Sequence, residues 1–227
     1  MKIHGLQKLT LLDFPGKVAC TVFTYGCNFR CPFCHNASLV VDSTPDEIHL
    51  NDFFDFLKKR SGILDGVCLS GGEPLLQNGV EDFFKQVKDL GLATKLDTNG
   101  SFPEKLKILV DGGLVDYIAM DLKNSKEKYA LTCGTTIDLS QIEESVKFIE
   151  SCGVDHEFRT TCVKHLHTPD SMIGIGEWIR NTNKYFLQSF IDSGNLVGTA
   201  EGIDAKGMQE LLAAVRPFIP NAEIRGI

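Results

Sequence analysis

Short runs of strand-forming residues recur along the chain, and stretches whose apolar positions repeat every three or four residues lie between them. Ala19–Thr24, Val67–Ser70, Ala93–Leu96, Tyr117–Met120, Glu157–Val163 and Tyr185–Phe190 are short and rich in β-branched, aromatic and aliphatic side chains, and they read as buried strands. Val80, Phe83, Phe84, Val87 and Leu90 fall on one face of a helix that Gly91 is placed to stop. Leu139, Ile142, Val146 and Ile149 do the same ahead of Gly153, and the Ser140/Glu143 spacing predicts a capping box with Ser140 as the cap. A third helical period, Asn51–Leu57, runs into Lys58, Lys59 and Arg60, where cations favour the negative end of the helix dipole, so this densest basic cluster reads as a solvated helix terminus.

Strand and helix alternate about six times, which predicts a parallel sheet with right-handed crossovers. At 227 residues the chain is short for an eightfold barrel, so the expected fold is α/β, a partial (β/α)6 TIM-like barrel. One domain is expected over 1–227, with a short N-terminal extension (1–18) before a barrel from about 19 to 227. A complete barrel keeps its chemistry at the C-terminal ends of its strands. Polar groups follow the strands at that end here: Cys27 after the first, Gly71-Gly72-Glu73 after the second, Asp97-Thr98-Asn99-Gly100 after the third and Asp121-Leu122-Lys123 after the fourth, with Arg159 and Gln188 inside the last two. Each is ordinary turn chemistry alone; together they predict one ligand-filled mouth.

Composition narrows the classes. Hydrophobic residues make up 43% of the chain, enough to fill a core, and no repeat or low-complexity tract divides it. The net charge is −7 and the basic residues are scattered, so neither nucleic acid nor a membrane is an expected partner. Apolar runs are too short to span a bilayer, Met1–Thr10 lacks the apolar stretch of a signal peptide and Glu223–Ile227 carries no lipidation signal, which predicts a cytoplasmic protein. Of eight cysteines, Cys20, Cys68, Cys133, Cys152 and Cys162 are isolated and read as small buried hydrophobes, a second metal cluster being the alternative.

The other three form C-x3-C-x2-C: Cys27, Cys31 and Cys34 within eight residues. A closed zinc site wants a fourth ligand, from His35 or a distant cysteine. A haem-attachment reading of Cys31-Pro32-Phe33-Cys34-His35 needs export, a thioredoxin-type dithiol leaves Cys27 without a role, and a disulfide closes no useful loop. An iron–sulfur cube held by three thiolates leaves one iron open to a substrate or cofactor. One strand later stands Ser70-Gly-Gly-Glu-Pro74, whose glycines admit close backbone approach and whose Glu73 can accept a hydrogen bond from an ammonium group.

With both motifs in place the chain resembles the radical S-adenosylmethionine superfamily. That resemblance implies a [4Fe–4S] cluster on Cys27, Cys31 and Cys34, the S-adenosylmethionine amino group at Gly71, Gly72, Glu73 and Pro74, and the aromatic Phe33 beside the adenine, with His35 among the cofactor-binding residues. It implies reductive cleavage of the cofactor to a 5′-deoxyadenosyl radical that takes a hydrogen atom from substrate. Leu6–Thr10, Asp13–Gly16, Gly26–Asn36, Leu96–Gly100, Tyr117–Lys123, Glu157–Thr161 and Glu223–Ile227 resemble the activating proteins of anaerobic ribonucleoside-triphosphate reductase. The implied partners are a glycyl-radical enzyme of that kind and an electron donor such as flavodoxin or ferredoxin. By similarity to pyruvate formate-lyase activating enzyme, Asp97 and Asp121 are expected near the methionine carboxylate, with a bound monovalent cation bridging their like charges, and Thr98 is expected among the cofactor-binding residues. Lys123 and Arg159 are expected as cofactor contacts, and Gln188 stands where the activase has a histidine. His156, His165 and His167 are expected at the surface or satisfied in the core. A small-molecule radical enzyme similar to 7-carboxy-7-deazaguanine synthase is the alternative, and a non-enzymatic iron–sulfur protein a third.

Overall fold

The computed structural model describes residues 1–41, 46–192 and 194–226. Ile227, the last residue of the terminal motif, lies outside them. Eight strands form one sheet in chain order: β1 (Gly5–Thr10), β2 (Ala19–Thr24), β3 (Gly66–Gly71), β4 (Ala93–Thr98), β5 (Tyr117–Asp121), β6 (Asp155–Cys162), β7 (Tyr185–Ser189) and β8 (Glu223–Arg225). β1 runs antiparallel to β2, and every later neighbour pair is parallel. The helices are α1 (Ala37–Val40), α2 (Leu50–Lys59), α3 (Val80–Asp89), α4 (Pro103–Asp111), α5 (Tyr129–Cys133), α6 (Leu139–Ser151), α7 (Pro169–Trp178) and α8 (Ala205–Val215). This is the expected partial barrel, its six strands being β2–β7.

Residues 1–18 do more than extend the barrel, because β1 adds an antiparallel edge and β8 adds a parallel one at the other side. Both lack an apolar run: β1 reads Gly-Leu-Gln-Lys-Leu-Thr with only Thr10 buried, and β8 is three residues long. The α3 face is as the periodicity predicts, with Val80, Phe83, Phe84 and Val87 buried. Phe83 stacks on Phe53 of α2 at 5.6 Å, which ties those two helices together outside the sheet. The capping box does not form. α6 begins at Leu139, so Ser140 lies inside its first turn; Asp138 is the cap and accepts from the Ser140 N–H at 3.0 Å, while Glu143 pairs with Lys126.

Successive strand residues face opposite sides of the sheet. Outward positions such as Leu96, Ile118, Met120, Phe158 and Leu187 join the helices in the hydrophobic core. Inward positions carry charge: Lys95, Asp97, Asp121, Glu157, Arg159 and Arg225 pair with one another where a complete barrel stacks branched aliphatics. Among the described residues no helix is long and apolar enough to cross a membrane.

Candidate active site

The cysteine-bearing loop leaves β2 through Gly26, whose φ of +90° suits glycine, and enters α1. It is tied on three sides. Gly26 N–H donates to Leu39 O at 2.7 Å, Glu73 N–H donates to Gly26 O at 2.8 Å, and Arg30 N–H donates to Cys133 O, at the end of α5, at 2.8 Å. The Arg30 guanidinium folds back onto the Cys27 and Phe29 carbonyls at 2.6 and 2.8 Å, satisfying two loop acceptors that no ladder reaches.

Cys27, Cys31 and Cys34 line a cleft of about 160 Å³ at the C-terminal ends of the strands. Phe33, His35, Gly71, Gly72, Asp97, Thr98, Asp121 and Lys123 of the predicted set line the same cleft. Asn36, Asn99 and Thr161 line it too and were given no individual role from sequence; all three stand inside the quoted motifs, the signal that could have found them.

Burial pushes the Cys27 thiol up to about 11 and raises Cys34. Cys31 moves the other way, because a hydrogen bond from Cys133 stabilises its thiolate against burial, helped by the charge of Lys123. Among the described residues no three Cys, His, Asp or Glu side chains converge on one ion position. Three soft thiolate donors on one cleft wall are the donor set that holds an iron–sulfur cube and leaves one iron open. The isolated Cys20, Cys68 and Cys162 are buried, and burial raises their thiols, the first and last to about 12.

Glu73 departs from the role predicted for it. Its side chain is completely buried and off the cleft wall, with Oε1 accepting from Leu75 N–H at 3.0 Å and Thr98 Oγ1 at 2.9 Å, and Oε2 from Asn99 N–H at 2.7 Å. It fastens the turn after β3 to the turn after β4 and caps a short 3-10 turn at Pro74–Leu76, so Pro74 is buried at that turn's start and does not reach the cleft either. Burial raises the Glu73 carboxyl to about 7 against the pull of those hydrogen bonds. The glycines serve backbone packing as well as the cleft surface. A Cβ on Gly72 would lie 2.0 Å from Gly26 O, and one on Gly71, at φ +123°, would lie 2.3 Å from Thr24 N. Only glycine lets this turn reach the cluster loop, and Asn36 Nδ2 closes the joint on Gly71 O at 3.0 Å.

Arg159 lies beneath the cleft instead of lining it. Its Nε donates to Asp121 Oδ1 at 2.9 Å and its Nη2 stands 3.4 Å from Asp97 Oδ2, so the guanidinium spans both carboxylates. Lys95 pairs with Asp97, and Lys123 reaches Asp121 Oδ2 at 3.2 Å. Burial would raise both carboxyls, yet Arg159, with Lys95 on Asp97 and Lys123 on Asp121, holds them below the usual carboxylate range. The like-charge repulsion for which a monovalent cation is expected is therefore relieved by side chains. Lys123 is held above the ordinary lysine range because the charges of Asp121 and of the Cys31 thiolate outweigh its burial, leaving a fixed positive charge on the cleft wall. Gln188 is not at the wall; its Oε1 accepts from Thr161 Oγ1 at 3.4 Å, and Thr161 faces the cleft. His35 stacks on Phe190 at 5.0 Å, and Phe33 meets the ring of His167 edge-on at 6.1 Å. His167 is buried and satisfied by Val163 N and Lys123 O, whereas His165 is exposed.

Comparison with known proteins agrees with this geometry. Residues 21–177 match the model of the Radical SAM superfamily. A Methanocaldococcus jannaschii protein named as a glycyl-radical enzyme activating enzyme is 32% identical over 197 residues, 83% of this chain and 79% of that one. The pyruvate formate-lyase-activating enzyme of Listeria monocytogenes is 35% identical over 134 residues, 54% of this chain and 53% of that one. In structure, a radical SAM methyltransferase from Sphaerobacter thermophilus superposes with a TM-score of 0.75 over 96% of this chain and 68% of its own, at 12% identity, a likeness of fold. The three thiols, the Gly-Gly turn packed on their loop and these matches make the chain a member of the radical SAM superfamily, which uses a [4Fe–4S] cluster and S-adenosylmethionine, and place it in the activating-enzyme group.

Proposed function

We propose that the chain abstracts a hydrogen atom from a glycine of a partner enzyme, anaerobic ribonucleoside-triphosphate reductase, leaving a backbone radical there. The observation that carries this reading is similarity to a glycyl-radical activating protein along 83% of the chain, with the cleft and its thiols inside the matched superfamily region. In this reading Cys27, Cys31 and Cys34 hold the cluster, which with S-adenosylmethionine supplies the hydrogen-abstracting radical. Lys123 meets the cofactor's carboxylate as a fixed cation, Asp121 and Arg159 hold Lys123 in place, and the backbone of Ser70–Gly72 offers acceptors to its ammonium group. Phe33 and His35 provide the apolar and aromatic wall. A flavodoxin or ferredoxin supplies the electron.

Glycine suits the target because no side chain blocks approach to Cα or keeps the radical from becoming planar. The test uses a candidate reductase labelled with α-deuterated glycine, mixed anaerobically with reduced protein and S-adenosylmethionine. Deuterium in the 5′-deoxyadenosine product, together with a glycyl EPR signal on the reductase, is the expected result. Cofactor cleavage with neither signal on cognate reductases overturns the partner and leaves the cleft assignment standing.

A further inference from the structure

α5 lies directly behind the cluster loop, and the chain gives it two buried polar groups there. Cys133 is fully buried at its C-terminus, and its carbonyl accepts from the N–H of Arg30, the residue next to Cys31, at 2.8 Å. Gly134 makes the approach possible: a Cβ there would lie 2.4 Å from Arg30 O. One helical turn earlier stands Tyr129, also fully buried, with its ring edge-on to Trp178 at 5.8 Å. The hydroxyl of Tyr129 lies among Cys133, Lys123 and Cys31. The hydroxyl is one of three buried side-chain polar atoms among the described residues without a hydrogen-bond partner. A buried hydroxyl with no acceptor is costly to keep and calls for an explanation. One lies next to it, the sulfur-rich wall formed by Cys31 and its neighbours.

We propose that α5 tunes the cluster from behind, with the Cys133 thiol donating to Cys31 Sγ and the Tyr129 hydroxyl donating into the same sulfur-rich wall. Uptake of an electron adds negative charge to the cluster and its thiolates, and a donor stabilises the more negative state more strongly. Hydrogen bonds to sulfur are among the features that set cluster potentials. The two groups therefore raise the reduction potential and ease electron transfer from the donor. Neither is a ligand, so both act through Cys31. This inference rests on the family's cluster and not on the identity of the partner enzyme, and its test involves no partner.

The measurement is a dye-mediated potentiometric titration, read by the EPR signal of the reduced cluster, on anaerobically reconstituted wild-type protein, Cys133→Ala, Cys133→Ser and Tyr129→Phe at equal iron content. Cys133→Ala is expected to take up the electron about threefold to tenfold less readily, tenfold being about 59 mV for a one-electron couple. Tyr129→Phe should shift in the same direction. Cys133→Ser keeps a donor and should stay close to wild type, which a packing role would not predict. Wild-type potentials in both Cys133→Ala and Tyr129→Phe, or a serine variant shifted as far as the alanine one, overturn the proposal. A folded Cys133→Ala that binds no iron also overturns it, since Cys133 would then be a ligand. If the alanine variant does not fold, Cys133→Val fills the space without a donor and is titrated in its place, with the same outcomes deciding.

Discussion

Glu73 shows how far a single side chain can be read from sequence. Its motif located it beside the cleft, but its three donors come from Leu75, Thr98 and Asn99, two of them across a strand crossover, and spacing along the chain does not reveal that convergence. A carboxylate that accepts three protein hydrogen bonds has little left for a ligand. Glu73→Gln is therefore expected to act on stability more than on cofactor affinity. An amide replaces one oxygen with donors and sets an N–H against an N–H or O–H, costing about 1–3 kcal/mol. Because the folded carboxyl titrates near 7 and an unfolded glutamate near 4.5, the folded state binds the extra proton between those values. Its contribution is complete below about pH 4.5 and is lost as pH rises through about 7. Urea denaturation of both proteins between pH 4 and 8 should show the wild-type advantage shrinking across that window; a constant difference would show that Glu73 does not titrate there. Arg159 is the matching case: sequence put it among cofactor contacts, and the fold puts it under two carboxylates that are 62 and 38 residues away along the chain.

At the scale of elements, legibility followed burial. β2 to β7 each bury several side chains and were visible as runs of strand formers, whereas β1 and β8 sit at the sheet's edges with little buried surface and left no period to detect. The α6 cap was misplaced by two residues because Asp138 and Ser140 both carry capping oxygens and only the backbone decides between them. The joint between the turn after β3 and the cluster loop was legible as chemistry but not as packing. It meets backbone to backbone, so neither partner can move aside. Gly72→Ala is expected to displace the cluster loop, and anaerobic reconstitution followed by iron analysis and visible absorption should find well under half of the wild-type cluster in soluble protein. Full occupancy would mean that Gly26 can retreat from a Cβ built 2.0 Å from its carbonyl oxygen.

Across the whole molecule the barrel interior is organised by charge. Arg225 of β8 makes two 3.0 Å bonds to Glu157, which Tyr117 also bonds at 3.0 Å, and the set continues through Arg159 to Asp97 and Asp121 beneath the cleft. Arg225→Ala leaves Glu157, 1% exposed, without its main partner. Breaking a buried pair from one side costs roughly 3–5 kcal/mol, and Arg225's partial exposure places the expected loss near the lower figure, about 3 kcal/mol. A thermal melt should fall by several degrees, about 2–4 °C for each kcal/mol in a chain of this size; an unchanged melt would show that β8 is not fastened through this pair. The pattern of apolar runs announced the sheet, but nothing in it announced this interior, because its members are isolated charges in otherwise ordinary strands. Its consequence is historical. Each member is expensive to lose singly and cheap to exchange together with its partner, so these positions can drift only in matched steps. Among descendants of one ancestral barrel, the identities at 157 and 225, or at 97, 121 and 159, should travel as linked sets, a signature of descent that single-site comparison would miss.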